Sequence, residues 1–254
     1  MPTVWLIRHA ESEANAGLAT ISPASVRLTS RGRKQAEYIA RAFTTQPDQI
    51  ITSPYIRTKQ TAFPTLERFP RSQHNEWDIQ EFTYLSPSEY QNTTIEQRRP
   101  LAQAYWQRLN PFYVDGEGAE SFSQFMLRVQ ETLHKLATSQ DKFIAIFSHE
   151  QFIRAILWTL YMGEEWIAEY SEREEGMECF RQFLKAFSMP NGSIVQLSWA
   201  SGELPAPGRI TTDHLPECRE EVPEAGRWLQ HIVAALALPR PTRINIGLAG
   251  PGWL

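Results

Sequence analysis

The sequence predicts an α/β fold of three layers: a mostly parallel central sheet with helices on both faces. Three observations predict it. Residues 4–7 (VWLI) and 143–147 (FIAIF) are continuous apolar runs, the pattern of strands buried on both faces. Amphipathic helical patterns follow them at 31–43 and 152–161. Strand and helix patterns then alternate along the chain, as parallel βαβ units require.

The elements can be justified in order. The first strand is 4–7. In the helix at 31–43, Ala36, Ile39, Ala40 and Phe43 share one stripe. Residues 49–52 form a short strand closed by Pro54, and a helix follows at 55–66. A short extended piece is expected at 77–82. Residues 83–120 read as a helical insertion after the second strand–helix unit: turn-prone (SPSEY), aromatic, with a helix opened by the capping box Thr94-Ile95-Glu96-Gln97. A second box, Ser121-Phe122-Ser123-Gln124, opens a helix whose apolar face is Phe122, Phe125, Met126, Val129, Leu133 and Leu136. After the strand at 143–147 come helical pattern over 164–187 and a late strand at 194–199. Beyond Ser201 the chain turns rich in Pro and Gly, with one helix expected at 224–236. Residues 1–200 are read as one domain, and 201–254 as an extension packing on it. No internal repeat is present.

Composition narrows the function. A length of 254 residues suits one α/β domain with insertions, and 42% hydrophobic residues supply a large core. The net charge of −4 lacks the basic footprint of a nucleic-acid binder. The two cysteines, Cys179 and Cys218, form neither a metal-ligand spacing nor a disulfide framework, which points to a reducing compartment. No leader pattern opens the chain, and no run approaches the ~18 apolar residues of a spanning helix. A cytoplasmic protein is expected, without nucleic-acid or membrane partners, as a monomer or homodimer.

Chemistry concentrates at three strand ends, where open α/β sheets bind ligands. The first strand ends in Arg8-His9. The second leads through Ser53-Pro54 to Arg57. The strand at 143–147 leads to Ser148-His149, with Arg154 following. Two histidines and several arginines would make a cationic pocket in an acidic protein, and such a pocket wants an anion. Arginine matches phosphate oxygens with a planar fork, and neutral imidazole is a competent nucleophile toward phosphorus.

Six segments in order resemble the histidine phosphatase (phosphoglycerate mutase-like) superfamily. They are Arg8-His9-Ala10-Glu11-Ser12-Glu13-Ala14-Asn15; the L-T-x-x-G-x-x-Q-A stretch from Leu28 to Ala36; and the S-P-x-x-R-x-x-Q-T-A stretch from Ser53 to Ala62. Glu120-Ser121 with Arg128, Ser148-His149 with Ile153-Arg154, and Asn191-Gly192-Ser193 complete the series. The resemblance implies that His9 takes the phosphoryl group, with its other ring nitrogen donating to a fixed acceptor. It implies that Arg8, Arg57 and His149 hold the phosphate, with Asn15 a further donor. It also implies a carboxylic acid in an L-x-E pattern, which Ile79-Gln80-Glu81 matches, so Glu81 is expected to protonate the leaving oxygen. No metal or cofactor is implied, and His149-Glu150 does not continue into H-E-x-x-H.

Departures and neutral readings stand beside these. Ala10 and Ala119 replace glycines and should be tolerated. Glu150 is expected to face solvent or cap its helix; the alternatives are a pair with His149 or the role of the acid. Ser148 shapes a turn, and Arg98 and Arg99 are expected as a solvated pair rather than readers of a second anionic group. His74, His134, His214 and His231 match no motif. Most insertion aromatics should be core, a few lining the leaving-group pocket. The expected function is a phosphomonoesterase of histidine acid phosphatase type, acting on a small phosphorylated metabolite or a phosphoprotein. A phosphoglycerate mutase is the alternative enzyme, although residues 17–23 (GLATISP) lack the Phe-Thr-Gly-Trp-like stretch of such mutases. A non-catalytic phospho-ligand sensor is the alternative outside enzymes.

Overall fold

The computed structural model describes residues 2–186, 188–199 and 206–216. One six-stranded sheet runs in the order β3-β2-β4-β1-β5-β6. The strands are β1 (Thr3–Arg8), β2 (Gln49–Thr52), β3 (Gln73–Glu76), β4 (Phe143–Ser148), β5 (Ile194–Ser198) and β6 (Ala206–Thr211). β1, β2, β3 and β4 are mutually parallel, and β5 runs antiparallel to both β1 and β6.

Alternation along the central strands sends side chains to two cores. Ile7, Ala145 and Phe147 join Ile39 and Phe43 of the α1 segment and Ala62 of α2 on one face. α1 is Ser30–Ala42 and α2 is Ile56–Arg68. Leu6, Ile144 and Ile146 face the other way, toward α4 (Phe122–Thr138), α5 (Glu150–Met162) and α7 (Glu174–Ala186). The aromatic residues of 82–122 pack on this second core, except the exposed Phe112. Phe82 stacks on Phe125 with ring centroids 4.3 Å apart.

Both capping boxes form. Thr94 opens α3 (Ile95–Gln107) and Ser121 opens α4, each by the reciprocal pair of bonds. Three expectations need correction. The strand expected at 77–82 lies earlier, at Gln73–Glu76, as an exposed edge, and 77–82 is the loop that follows it. Its apolar residues, Ile79 and Phe82, are buried as anchors of that loop rather than as a strand face. The helical stretch at 164–187 is two helices, α6 (Glu164–Tyr170) and α7, parted at 171–173. Gly176 fits there because an added Cβ would lie 1.9 Å from the Tyr170 carbonyl oxygen. Third, the Pro/Gly-rich extension supplies β6, whose alternation is broken by Pro207 and Gly208. The helix expected at 224–236 and Cys218 lie outside the described residues. Among the described residues no helix is long and apolar enough to cross a membrane.

The topology sets the site. From β1 the chain crosses to β2 on one side of β4, and from β4 it crosses to β5 on the other side of β1. The switch point lies between β1 and β4, and ligands bind at such points outside the carboxyl ends.

Candidate active site

Register puts the two histidines together. Arg8 pairs with Ser148 across the parallel ladder, so His9 and His149 leave adjacent strands at the same level. The His9 amide donates to the Ser148 carbonyl at 2.9 Å, and the two imidazole centroids are 5.2 Å apart. Both rings are buried, His9 4% exposed and His149 fully.

His9 has a defined tautomer. Its Nδ1 lies 2.8 Å from the Ala10 carbonyl oxygen, which can only accept. Its Nε2 receives the Arg57 Nε–H at 3.1 Å, which a lone pair must accept. Nδ1 therefore carries the proton, and Nε2 is unprotonated with its lone pair turned to Arg57. Burial, and then the charges of Arg57 and Arg8, hold the ring well below the usual imidazole pKa, so it is neutral.

The first loop is built to hold this geometry. The Ala10 amide donates to Thr61 Oγ1 and the Glu11 amide to Gln35 Oε1. Thr29 caps α1 and also donates to the Glu11 carboxylate at 2.7 Å. Gly32 admits the loop against α1: a Cβ there would sit 2.0 Å from the Glu11 carbonyl oxygen. Gln60 accepts from the Leu28 amide. Ala10 keeps an ordinary negative φ, so its methyl strains nothing. On the other side, Asn191 Nδ2 and the Gly192 amide both donate to the His9 carbonyl.

Arg57 is buried near the start of α2, with Nη1 on the Pro23 carbonyl at 2.6 Å and its guanidinium over the Tyr55 ring. Burial draws its pKa down to about 10, still a cation at neutral pH. His149 bonds through Nε2 to Ser53 Oγ at 2.7 Å, and its buried Nδ1 has no hydrogen-bond partner. Arg8 likewise has a buried Nε without a partner. Unmet buried polar atoms are costly, so two such groups beside His9 suit a ligand rich in acceptors. Asn15 Oδ1 accepts from Ser12 and Asn191, which leaves its NH2 as the group it can offer.

Glu81 comes to the same place by another route. Its loop is tied down by Ser148 Oγ on the Ile79 carbonyl at 2.6 Å. Arg128, held by Glu120, donates to the carbonyls of Asp78 and Glu81. The Glu81 carboxyl accepts the Gln151 amide at 3.0 Å, so it caps α5 from outside. Burial nonetheless raises its pKa above the usual carboxylate value; nearby Arg57 works against the rise and Glu150 with it. A carboxyl with a raised pKa and a neutral imidazole thus line one cavity.

That cavity has a volume of about 330 Å³ and is bordered by Arg8, His9, Asn15, Arg57, Glu81 and Glu150 at its inner end. Its outer wall is Phe82, Tyr84, Leu85, Tyr90, Ile95 and Arg98. Arg98 corrects the solvated reading. It is 6% exposed, donates to the Thr93 carbonyl at 2.7 Å and lies over the Tyr90 ring. Arg99 is exposed and paired with Glu96. Glu150 is also corrected: it contacts Arg8 at 2.9 Å and Arg154 at 3.2 Å, because the turn into α5 points it inward. Ser53, Thr61 and Gln60 were not put forward individually, yet each supports a reacting side chain or its loop. Their signal was membership of the 53–62 stretch. Among the described residues no group of three or more His, Cys, Asp or Glu could hold a metal ion.

The family model described as histidine phosphatase superfamily (branch 1) matches residues 4–172. An adenosylcobalamin/alpha-ribazole phosphatase of Salmonella typhi is 26% identical over 160 residues, 61% of this chain and 77% of that protein. The alpha-ribazole phosphatase of Shigella flexneri superposes with TM-score 0.61 at 21% identity, over 84% of this chain and 96% of the other. A phosphoserine phosphatase of Entamoeba histolytica, solved with 3-phosphoglyceric acid, gives 0.60 at 20% identity, over 85% and 100%. A match across more than half of the chain, over a range that contains both strand-end histidines, decides the family: this chain belongs to the histidine phosphatase superfamily.

Proposed function

We propose that the chain is a phosphomonoesterase that transfers a phosphoryl group to His9 and then to water. The observation that carries this is the neutral His9, with Nδ1 pinned to the Ala10 carbonyl and an unprotonated Nε2 whose lone pair meets Arg57, the bond that a phosphate would take over. In this reading Nε2 attacks phosphorus in line, and the ester P–O bond breaks. Arg8, Arg57 and His149 hold the equatorial oxygens, with Asn15 a further donor. Glu81 gives its proton to the leaving oxygen. As carboxylate it then takes a proton from water, whose oxygen displaces His9 from phosphorus. The cationic groups supply the charge stabilisation, so the chemistry calls for no metal. The substrate is a small phosphorylated metabolite or a phosphoprotein, and the setting is the cytoplasm.

The test is turnover of a panel of monoesters in EDTA, with alpha-ribazole phosphate, phosphoserine, 3-phosphoglycerate and nitrophenyl phosphate as members. Hydrolysis with a pre-steady-state burst of leaving group supports the reading. Interconversion of phosphoglycerates instead of hydrolysis would make the chain a mutase. Phosphate binding without either would make it a sensor.

A further inference from the structure

Glu150 is the first residue of α5, and its carboxylate lies inside the phosphate end of the cavity. Oε2 is 2.9 Å from Arg8 Nη2; Oε1 is 3.2 Å from Arg154 Nη1 and accepts the Met189 amide at 3.0 Å. Arg8 gives its other terminal nitrogen to the Met189 carbonyl. Both ends of the Arg8 fork are therefore engaged by the protein. The buried Nε, which has no partner, and the second hydrogens of the two terminal nitrogens remain for a ligand. A phosphate gripped by Arg8 would therefore share the guanidinium with the Glu150 carboxylate. Glu81 faces the same cavity from the neighbouring amide of α5. A phosphate dianion thus meets the Glu150 carboxylate at its binding site and a second negative charge whenever Glu81 is ionised.

We propose that Glu150 is a resident counter-ion of Arg8 that sets the affinity of the site, weakening its hold on the phosphate dianion so that product leaves. This rests on the reading that the cavity takes a phosphoryl group. The opposite role is a carboxylate that merely positions Arg8, and the two differ in sign. A positioning carboxylate helps phosphate bind, whereas a competing one hinders it.

Glu150→Gln separates them. It keeps the length and an acceptor but removes the charge. Inorganic phosphate binding, measured by calorimetry at pH 8 and fixed ionic strength, should tighten about tenfold, the scale for one unit charge several Å away across a partly solvated site. Competitive inhibition by phosphate should strengthen equally, and release after turnover should slow. Equal or weaker binding by a variant of unchanged melting temperature overturns the proposal. If Glu150→Gln does not fold, Glu150→Asp decides. Its charge remains but reaches less far, so phosphate affinity should stay within about twofold; a tenfold loss means the carboxylate positions Arg8, and the proposal fails. Because binding is read without turnover, failure of the hydrolase reading is distinguishable. A chain that binds phosphate but never hydrolyses an ester breaks that reading alone.

Discussion

The two ends of the cavity are built differently. At the phosphate end each reacting side chain is tied to backbone or to a buried partner: His9 to the Ala10 carbonyl, Arg57 to the Pro23 carbonyl, His149 to Ser53. At the mouth the wall is aromatic and aliphatic, and Ile95 is half exposed. At the inner end Arg8, His9 and His149 come from strand ends, whose register leaves the side chains little freedom, and Arg57 and Glu81 are tied down beside them. The outer wall comes from the 82–102 segment, held by packing, by the Thr20–Thr93 bridge and by bonds from Thr83 to Tyr55 and Glu120 and from Ser86 to Asp115. Rigid elements position chemistry, and loops vary what is recognised. Substitutions at the inner end should therefore alter rate for every substrate, and those at the mouth should alter selection among substrates.

The largest effect is expected at His9. His9→Ala should lower kcat by on the order of 10⁴-fold or more for all esters, as removal of a nucleophile does, with the melting temperature little changed. Arg57→Ala comes next, since Arg57 both faces the phosphate site and touches His9 Nε2. Its kcat/KM should fall ~10²–10³-fold, the scale for losing one oxyanion donor. An equal loss across esters of all sizes would fit the division between the two ends; a loss confined to large esters would break it.

Glu81→Gln should show a dependence on the leaving group. Alkyl phosphates, whose alkoxide needs a proton, should slow by ~10²-fold or more, whereas nitrophenyl phosphate should lose less than ~10-fold. The pH profile follows from the two shifts. His9 sits well below its usual 6.5, so it stays neutral and reactive down to pH values under that figure. Glu81 sits above its usual 4.5, so it keeps its proton to higher pH than an exposed carboxylate. Alkyl phosphate kcat/KM should rise with His9 deprotonation on the acid side and fall with Glu81 deprotonation on the alkaline side. Glu81→Gln should remove the alkaline limb attributable to Glu81. The smallest effect is expected at the mouth. Ile95→Ala should leave nitrophenyl phosphate turnover within about twofold while raising KM for bulky esters several-fold, on the scale of a few buried methylenes. A large uniform loss of kcat would show that the mouth is mechanically part of the inner site.

The same division explains what could be read from sequence. Strands at 4–7 and 143–147 were legible because burial on both faces demands unbroken apolar runs. The helices opened by Thr94 and Ser121 were legible because capping is local chemistry. Arg8, His9, Arg57, His149 and Glu81 were legible as a set because each sits in a stretch whose neighbours have their own duties, such as Gly32 under Glu11 and Thr61 on Ala10. Glu150 was misread because position one of a helix usually exposes its side chain. Only the tertiary arrangement of Arg8, Arg154 and the Met189 amide turns it inward. Arg98 was misread for the same reason, since its partners Thr93 and Tyr90 lie just outside the helix that carries it. β3 was displaced because an exposed edge of Gln, His, Asn and Glu has no hydrophobic signature.

The central claim is that His9 Nε2 receives the phosphoryl group. Rapid quench of the protein with labelled phosphomonoester, followed by peptide mapping under alkaline conditions that preserve phosphoramidates, tests it directly. The account expects an acid-labile phosphoryl group on His9, formed within the burst and absent from His9→Ala. A phosphoryl group on any other residue, or full hydrolysis by His9→Ala, would contradict it.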